Sequence, residues 1–265
     1  MDQAFLFKVV LSMIIGGIWV VASTVVVDKF GTKLGGLIAG LPSTVVVALY
    51  FIGLSQGAQT AIQSTIVIPL AFAVNGPFML VYAFLSKRGL WQSMLTALGV
   101  WFVLSYLIIV FPLHNFIIGL VICILVLISS IYIFESRFNA VSSLGQKTVY
   151  KKAQLFFRAL FAGLIIGAAV FASRFFSPIV GGILASFPAV FVSTLLILHY
   201  NRGAEVAVGL AKSLLVSGFI NVITYVIAVH YFYNSLGINQ GTLMALIISI
   251  ITAFLTHRFI LKKLK

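Results

Sequence analysis

The sequence predicts an all-helical, polytopic membrane protein of about nine transmembrane helices, arranged as two inverted four-helix repeats joined by one extra helix, with the N-terminus outside and the C-terminus inside. Three observations predict it. The 265 residues are 62% hydrophobic and 8% charged, with a mean hydropathy of +1.20, whereas a soluble domain carries about 25% charged residues. The pattern Gly35-Gly36-Leu37-Ile38-Ala39-Gly40-Leu41-Pro42 returns 146 residues later as Gly181-Gly182-Ile183-Leu184-Ala185-Ser186-Phe187-Pro188. Threaded alternately through a bilayer, the apolar runs leave nearly all basic residues on one side, as cytoplasmic loops do. The runs are roughly 20 residues each and show no strand-like alternation, so helices are expected and not a barrel.

Span 1 covers residues 5–27. It is too long for a cleaved leader, and it belongs to the repeat: Phe5-Leu6-Phe7-Lys8 is matched by Leu155-Phe156-Phe157-Arg158 at an offset of 150. A polar loop at 28–33 precedes span 2 at 34–54, which carries the first Gly/Pro motif and ends at Ser55-Gln56-Gly57, the counterpart of Asn201-Arg202-Gly203. Span 3 at 60–85 contains Pro69, Asn75 and Pro77; span 4 at 90–111 stops at Pro112, where proline and polar residues end the apolar pattern. Span 5 at 116–134 has no partner in the repeat, and 135–152 is the polar joint. Spans 6 to 9 follow at 153–175, 178–198, 204–233 and 242–260. The units are thus repeat 1 at 1–111, span 5 with the basic loop at 112–152, and repeat 2 at 153–265.

An odd number of spans between equivalent helices inverts the second repeat. Charge tests this separately. Lys29, Lys33, Lys87, Arg88, Arg137, Lys147, Lys151, Lys152, Arg158, Arg202, Arg258, Lys262, Lys263 and Lys265 fall inside, while only Lys8 and Arg174 fall outside. The localisation expected is a bacterial cytoplasmic (inner) membrane, multi-pass. The net charge of +13 then reports orientation and not nucleic acid.

Glycine and proline weaken a helix, the first by backbone entropy and the second by removing a donor. In carriers, such interruptions at matching places in two halves point to the binding site. The site expected from the sequence is therefore Gly35, Gly36, Pro42, Gly181, Gly182 and Pro188, with each proline opening a half-helix whose free amides face an anion or dipole. Close packing of small residues is the competing reading. Asn75 and Asn221 match at the same offset, mid-span, where an amide needs a partner; they read equally as solute ligands or as interhelical glue. Ser213, Ser217, Asn221 and Tyr225 share one face of span 8, and Lys212 is the one ionisable residue well inside a span, with Glu205 two turns before it. Lys212 either snorkels or holds an anion.

The acids Asp2, Asp28, Glu135 and Glu205 avoid the midplane, and His114, His199, His230 and His257 fall at predicted span ends without metal-binding spacing. A proton relay, a metal site, a phosphate loop and a hydrolase constellation are all unexpected, so no catalytic residue, no metal and no cofactor is expected, and the chain does not read as an enzyme. The lone Cys123 reads as packing.

Ile183-Leu184-Ala185-Ser186-Phe187-Pro188 with Leu198-His199-Tyr200-Asn201-Arg202-Gly203-Ala204-Glu205 resembles the GlpM-like family of small four-helix bacterial membrane proteins. The first half is similar but lacks the basic residue and the acid. The resemblance implies a fused pair of such units and lends no mechanism. The function expected is a secondary transporter of a small neutral or anionic solute by alternating access of the repeats. A channel or lipid-carrier flippase, and a membrane scaffold assisting envelope polysaccharide or lipid metabolism, are the alternatives. The partners expected are the lipid bilayer and a small-molecule solute, with no nucleic acid, and a homodimer is compatible with this.

Overall fold

In the computed structural model, residues 2–39, 42–111, 114–138, 150–256 and 258–259 are described, with the backbone alone for 26–39. Ten α-helices follow in order: α1 (Gln3–Ala39), α2 (Ser43–Gln56), α3 (Ala58–Ala73), α4 (Asn75–Leu85), α5 (Leu90–Val110), α6 (Phe116–Phe138), α7 (Lys152–Phe175), α8 (Pro178–Ala185), α9 (Ala189–Arg202) and α10 (Ala204–Thr256). Among the described residues, seven helical runs are long and apolar enough to cross a membrane.

Several boundaries differ from the sequence reading, each for a local reason. The backbone of α1 stays helical through 28–33, where a loop was expected, although its spanning window ends at Val25. Span 3 is realised as α3 and α4, which count together as one run, Ala58–Arg88. Helix α6 continues past 134 to Phe138, so Glu135 and Arg137 lie on its last turn and not in a linker. The second motif does break its span: α8 stops at Ala185 and α9 starts at Ala189. Most of the polar joint, residues 139–149, and the C-terminal basic residues 260–265 lie outside the described residues.

The 53 residues of α10 would extend about 80 Å if straight. They do not. Gly237, at φ 72 and ψ −179, turns the chain back, a conformation that only glycine adopts without strain. The Ser249 hydroxyl donates to the Asn221 carbonyl at 3.3 Å, and the hydroxyls of Tyr233 and Thr242 lie 2.7 Å apart, so the two arms form a helical hairpin. Predicted spans 8 and 9 are these arms, with almost no loop between them.

Helices α1 and α7 cross where small residues let backbones touch. A Cβ on Gly163 would lie 2.5 Å from the Met13 carbonyl oxygen, and one on Gly17 would lie 2.8 Å from that of Ala159. The reciprocal pair is there too: Gly167 lies against Val9 and Met13. Met13 and Gly163 occupy equivalent repeat positions, as do Val9 and Ala159, and Gly17 and Gly167. A residue meeting its own counterpart, flanked by exchanged pairs, is the signature of an internal two-fold axis. Because Phe5 also meets Phe175, the two helices run antiparallel.

The centre of the bundle is built by Ala58–Arg88, Pro178–Arg202 and α10, whose most apolar windows are 72%, 72% and 78% buried, against 33% for α5 and 22% for α6. Side chains such as Trp91, Phe102, Leu125 and Tyr132 on α5 and α6 are exposed, an apolar exterior that suits lipid and not water.

Candidate functional site

Two half-helices of the same length and end chemistry define the centre. Both α2 and α9 have 14 residues. Pro42 precedes α2 at φ −76 and ψ 54, and Pro188 precedes α9 at φ −78 and ψ 48. Each helix ends at a glycine of positive φ, Gly57 at 97° and Gly203 at 87°. A proline can open a helix because it has no N–H to leave unpaired, and glycine closes one because it takes a positive φ freely. The first turns then close alike, Val46 N–H to the Pro42 carbonyl at 2.9 Å and Val192 N–H to the Pro188 carbonyl at 2.8 Å.

The two starts meet at one cavity of about 30 Å³. Pro42, Ser43 and Thr44 line one side, Phe187, Pro188 and Phe191 the other, and Phe72 of α3 with Gly218 and Val222 of α10 complete the wall. That volume holds one or two water-sized groups. The first N–H groups of each helix lack intrahelical acceptors, so both ends carry partial positive charge. The aromatic wall is itself packed, with Phe72 edge-on to Phe191 and Phe219.

Asn75 is fully buried and fully engaged. Its Nδ2 donates to the Ser186 carbonyl at 3.3 Å, in the break between α8 and α9, and its Oδ1 accepts from Trp101 Nε1 at 3.1 Å. Repeat 1 thereby caps the broken span of repeat 2. Asn221 is 1% exposed, and among the described residues neither atom of its amide has a hydrogen-bond partner. The equivalence is one of position and not of bonding.

The glycine pair of the second motif packs and does not line the cavity. A Cβ on Gly182 would collide with the Ser64 carbonyl of α3, and one on Gly181 would come 2.5 Å from Ser173 Cβ of α7. Gly35 and Gly36, the first pair, lie outside the residues whose side chains are described. Ser217 donates to the Leu214 carbonyl at 3.4 Å within its own helix. The polar line of span 8 is buried, with Ser213, Ser217, Asn221 and Tyr225 all at 4% exposure or less.

Lys212 is buried, and its Nζ lies 3.2 Å from Glu135 Oε1 on α6, the pair's other side chain being half-exposed. Glu205, expected beneath it, instead faces Lys87 at 3.9 Å in an exposed pair. The sequence could not show this, because α6 reaches Lys212 only through the tertiary packing. His199 falls in the last turn of α9, a helix end as expected, with its Nδ1 2.8 Å from the Tyr82 hydroxyl, while His230 stands seven residues before the Gly237 corner, its Nδ1 2.7 Å from Thr65 Oγ1 and its ring stacked on Phe116.

Residues that sequence reasoning missed are Trp101, Arg158 and the aromatics Phe72, Phe187 and Phe191. Arg158 is buried, 6% exposed, and donates from Nη1 to Thr194 Oγ1 at 2.7 Å. Trp101 lies 26 positions from Asn75, with no local signal linking them. Phe187 alone had one, since it adjoins Pro188. Among the described residues no group of three His, Cys, Asp or Glu side chains is placed to hold a metal.

The model of a family described as "Protein of unknown function (DUF3147)" matches this chain twice, over residues 9–113 and 155–262. Each match covers one of the two repeats. No curated protein and no solved structure matches the chain.

Proposed function

The chain belongs to this family of unknown function, and from that premise we propose that it is a secondary transporter which moves a small neutral or anionic solute across the bacterial cytoplasmic membrane by rocking one repeat against the other. The observation that carries the reading is the meeting of the Pro42 and Pro188 half-helix starts at one cavity, the arrangement by which broken helices form midplane sites in carriers. Pro42 and Pro188 shape that site; neither Asn75 nor Asn221 is among the residues that line it. Lys212 holds the inner end of the bundle through Glu135. The GlpM-like resemblance is part of the reading, each matched half standing for one such four-helix unit.

Nine crossings follow if α1, the broken span ending in α2, the α3–α4 run, α5, α6, α7, the α8–α9 run and the two arms of α10 each traverse the bilayer. Contacts support the sides. Lys8 Nζ donates to the Leu54 carbonyl, Gln56 Nε2 to Ser173 Oγ, and Tyr50 meets Asn239, all ends expected outside. Lys87 meets Glu205 and Lys212 meets Glu135, all expected inside.

The test is flux into vesicles containing purified protein, screened over small neutral and anionic solutes, with the double variant Pro42→Ala/Pro188→Ala, in which the helices can run through their breaks. Uptake above protein-free vesicles is expected for the native chain and loss of it for the variant. No carried solute, or full flux in a folded variant, overturns the proposal. Reporters at the N-terminus and after Lys265 should read external and cytoplasmic.

A further inference from the structure

We propose that the cavity between the two proline starts binds a small monovalent anion, the solute this protein moves, and that the hydroxyls of Ser43 and Thr44 donate to it. This rests on the transporter reading and names the class of solute at the same site.

The two hydroxyls carry the argument. Ser43 and Thr44 both line the cavity, and they are 7% and 9% exposed. Among the described residues, neither hydroxyl makes a hydrogen bond. Buried hydroxyls elsewhere in the bundle fold back on the turn before them: Ser64 donates to the Thr60 carbonyl at 3.0 Å, Ser186 to the Gly182 carbonyl at 2.9 Å and Ser193 to the Val190 carbonyl at 3.2 Å. Ser43 and Thr44 are the first two residues of α2, so no turn of that helix precedes them, and the Pro42 carbonyl is already taken by Val46 N–H. A buried hydroxyl without a partner costs stability. The cavity that both residues line is where such a partner fits.

The surroundings select the charge and the size. At the offset of 146 the counterparts of Ser43 and Thr44 are Ala189 and Val190, so one repeat supplies the hydroxyls while both supply a helix start. Each start carries about half a unit of positive charge, and the two together balance about one negative charge. No ionisable side chain is among the lining residues, so nothing there attracts a cation, and a second negative charge would stay unbalanced. Helix N–H groups only donate, and the Pro188 carbonyl is taken by Val192 N–H. A neutral solute with its own N–H or O–H would therefore find little but the two hydroxyl oxygens to accept from it. Phe72, Phe187, Phe191 and Val222 make the rest of the wall apolar, which strengthens the attraction by keeping screening water out. The volume of about 30 Å³ restricts the anion to one or two water-sized groups, which admits a halide.

The experiment follows thermal unfolding of the full-length protein in nanodiscs while potassium chloride replaces potassium gluconate at constant ionic strength, with acetamide as the neutral probe. Chloride is expected to raise the unfolding temperature of the native protein, and acetamide to leave it unchanged. Ser43→Ala/Thr44→Val should need about tenfold more chloride, or more, for the same rise. Thr44→Ser, which keeps the hydroxyl with less bulk, should respond as the native protein does. If the double variant does not fold, Ser43→Ala alone removes one oxygen and is read in the same way. A native protein indifferent to chloride overturns the inference, as does a full chloride response in a folded variant without the hydroxyls. So does a Thr44→Ser response as weak as that of the double variant, or a shift by acetamide in place of chloride. Chloride binding with no flux of any solute into vesicles leaves this inference standing and sinks the transporter reading; flux of a neutral solute without a chloride response does the reverse.

Discussion

Replacing Gly182 by alanine asks whether the motif's glycines are there for close packing. The added methyl would meet the Ser64 carbonyl of α3 and come 2.7 Å from Val67 Cγ1. Backbone cannot swing aside as a side-chain tip can, so α8 and α3 must separate. Overpacking of this kind costs about 1–3 kcal/mol, while alanine in place of glycine returns up to about 1 kcal/mol of helix propensity. The clash wins, and a net loss of about 1–2 kcal/mol is expected. Gly99 on α5 is the control: a Cβ there meets nothing within 4 Å, so Gly99→Ala keeps the propensity gain alone. Reversible denaturant unfolding of both variants in mixed micelles reads the difference. Gly182→Ala at or above native stability, with Gly99→Ala no better than it, would refute the assignment of Gly182 to packing.

The crossing of α1 and α7 should be still less tolerant, since a Cβ on Gly163 lies 2.5 Å from the Met13 carbonyl; Gly163→Val is expected to lose more than about 3 kcal/mol, read as failure to accumulate folded protein. At the hairpin corner, Gly237→Ala places an L-residue at φ 72 and should cost about 1–3 kcal/mol in the same unfolding assay. Glu135→Gln leaves the buried Lys212 ammonium without its carboxylate. As Glu135 is half-exposed, solvent screens the pair, and about 1 kcal/mol is the loss expected, checked by unfolding at low and high salt. Trp101→Phe removes the donor to Asn75 and should lower stability by about 1–2 kcal/mol, an effect that should vanish in the Asn75→Leu background when the double-mutant cycle is closed.

Much of the helix inventory was legible because a membrane asks one strong question of a sequence, whether a run is apolar for long enough. The repeat was legible because glycine, proline and asparagine are conspicuous among leucines and valines. Pro188 as the start of a half-helix was readable from its chemistry, and so was the pairing with Pro42. The corner at Gly237 was not, since glycine is common in these segments and only its backbone angle marks the turn. Glu135 was assigned to a loop because a single acid ends an apolar run in sequence, yet in space it extends α6 to meet Lys212.

The sequence by itself determined the all-helical class, the two-fold internal repetition and the breaks at Pro42 and Pro188, since these depend on residue chemistry and on spacing along the chain. Only the tertiary structure decided that both proline starts open onto one cavity, that Gly181 and Gly182 pack against α7 and α3, and that Asn75 is bonded while Asn221 is not. The physical reason is that each of these depends on neighbours far away in the chain. Trp101 reaches Asn75 from 26 positions away, while among the described residues nothing bonds the Asn221 amide, and nothing within a helical turn of either asparagine says which of them will find a partner.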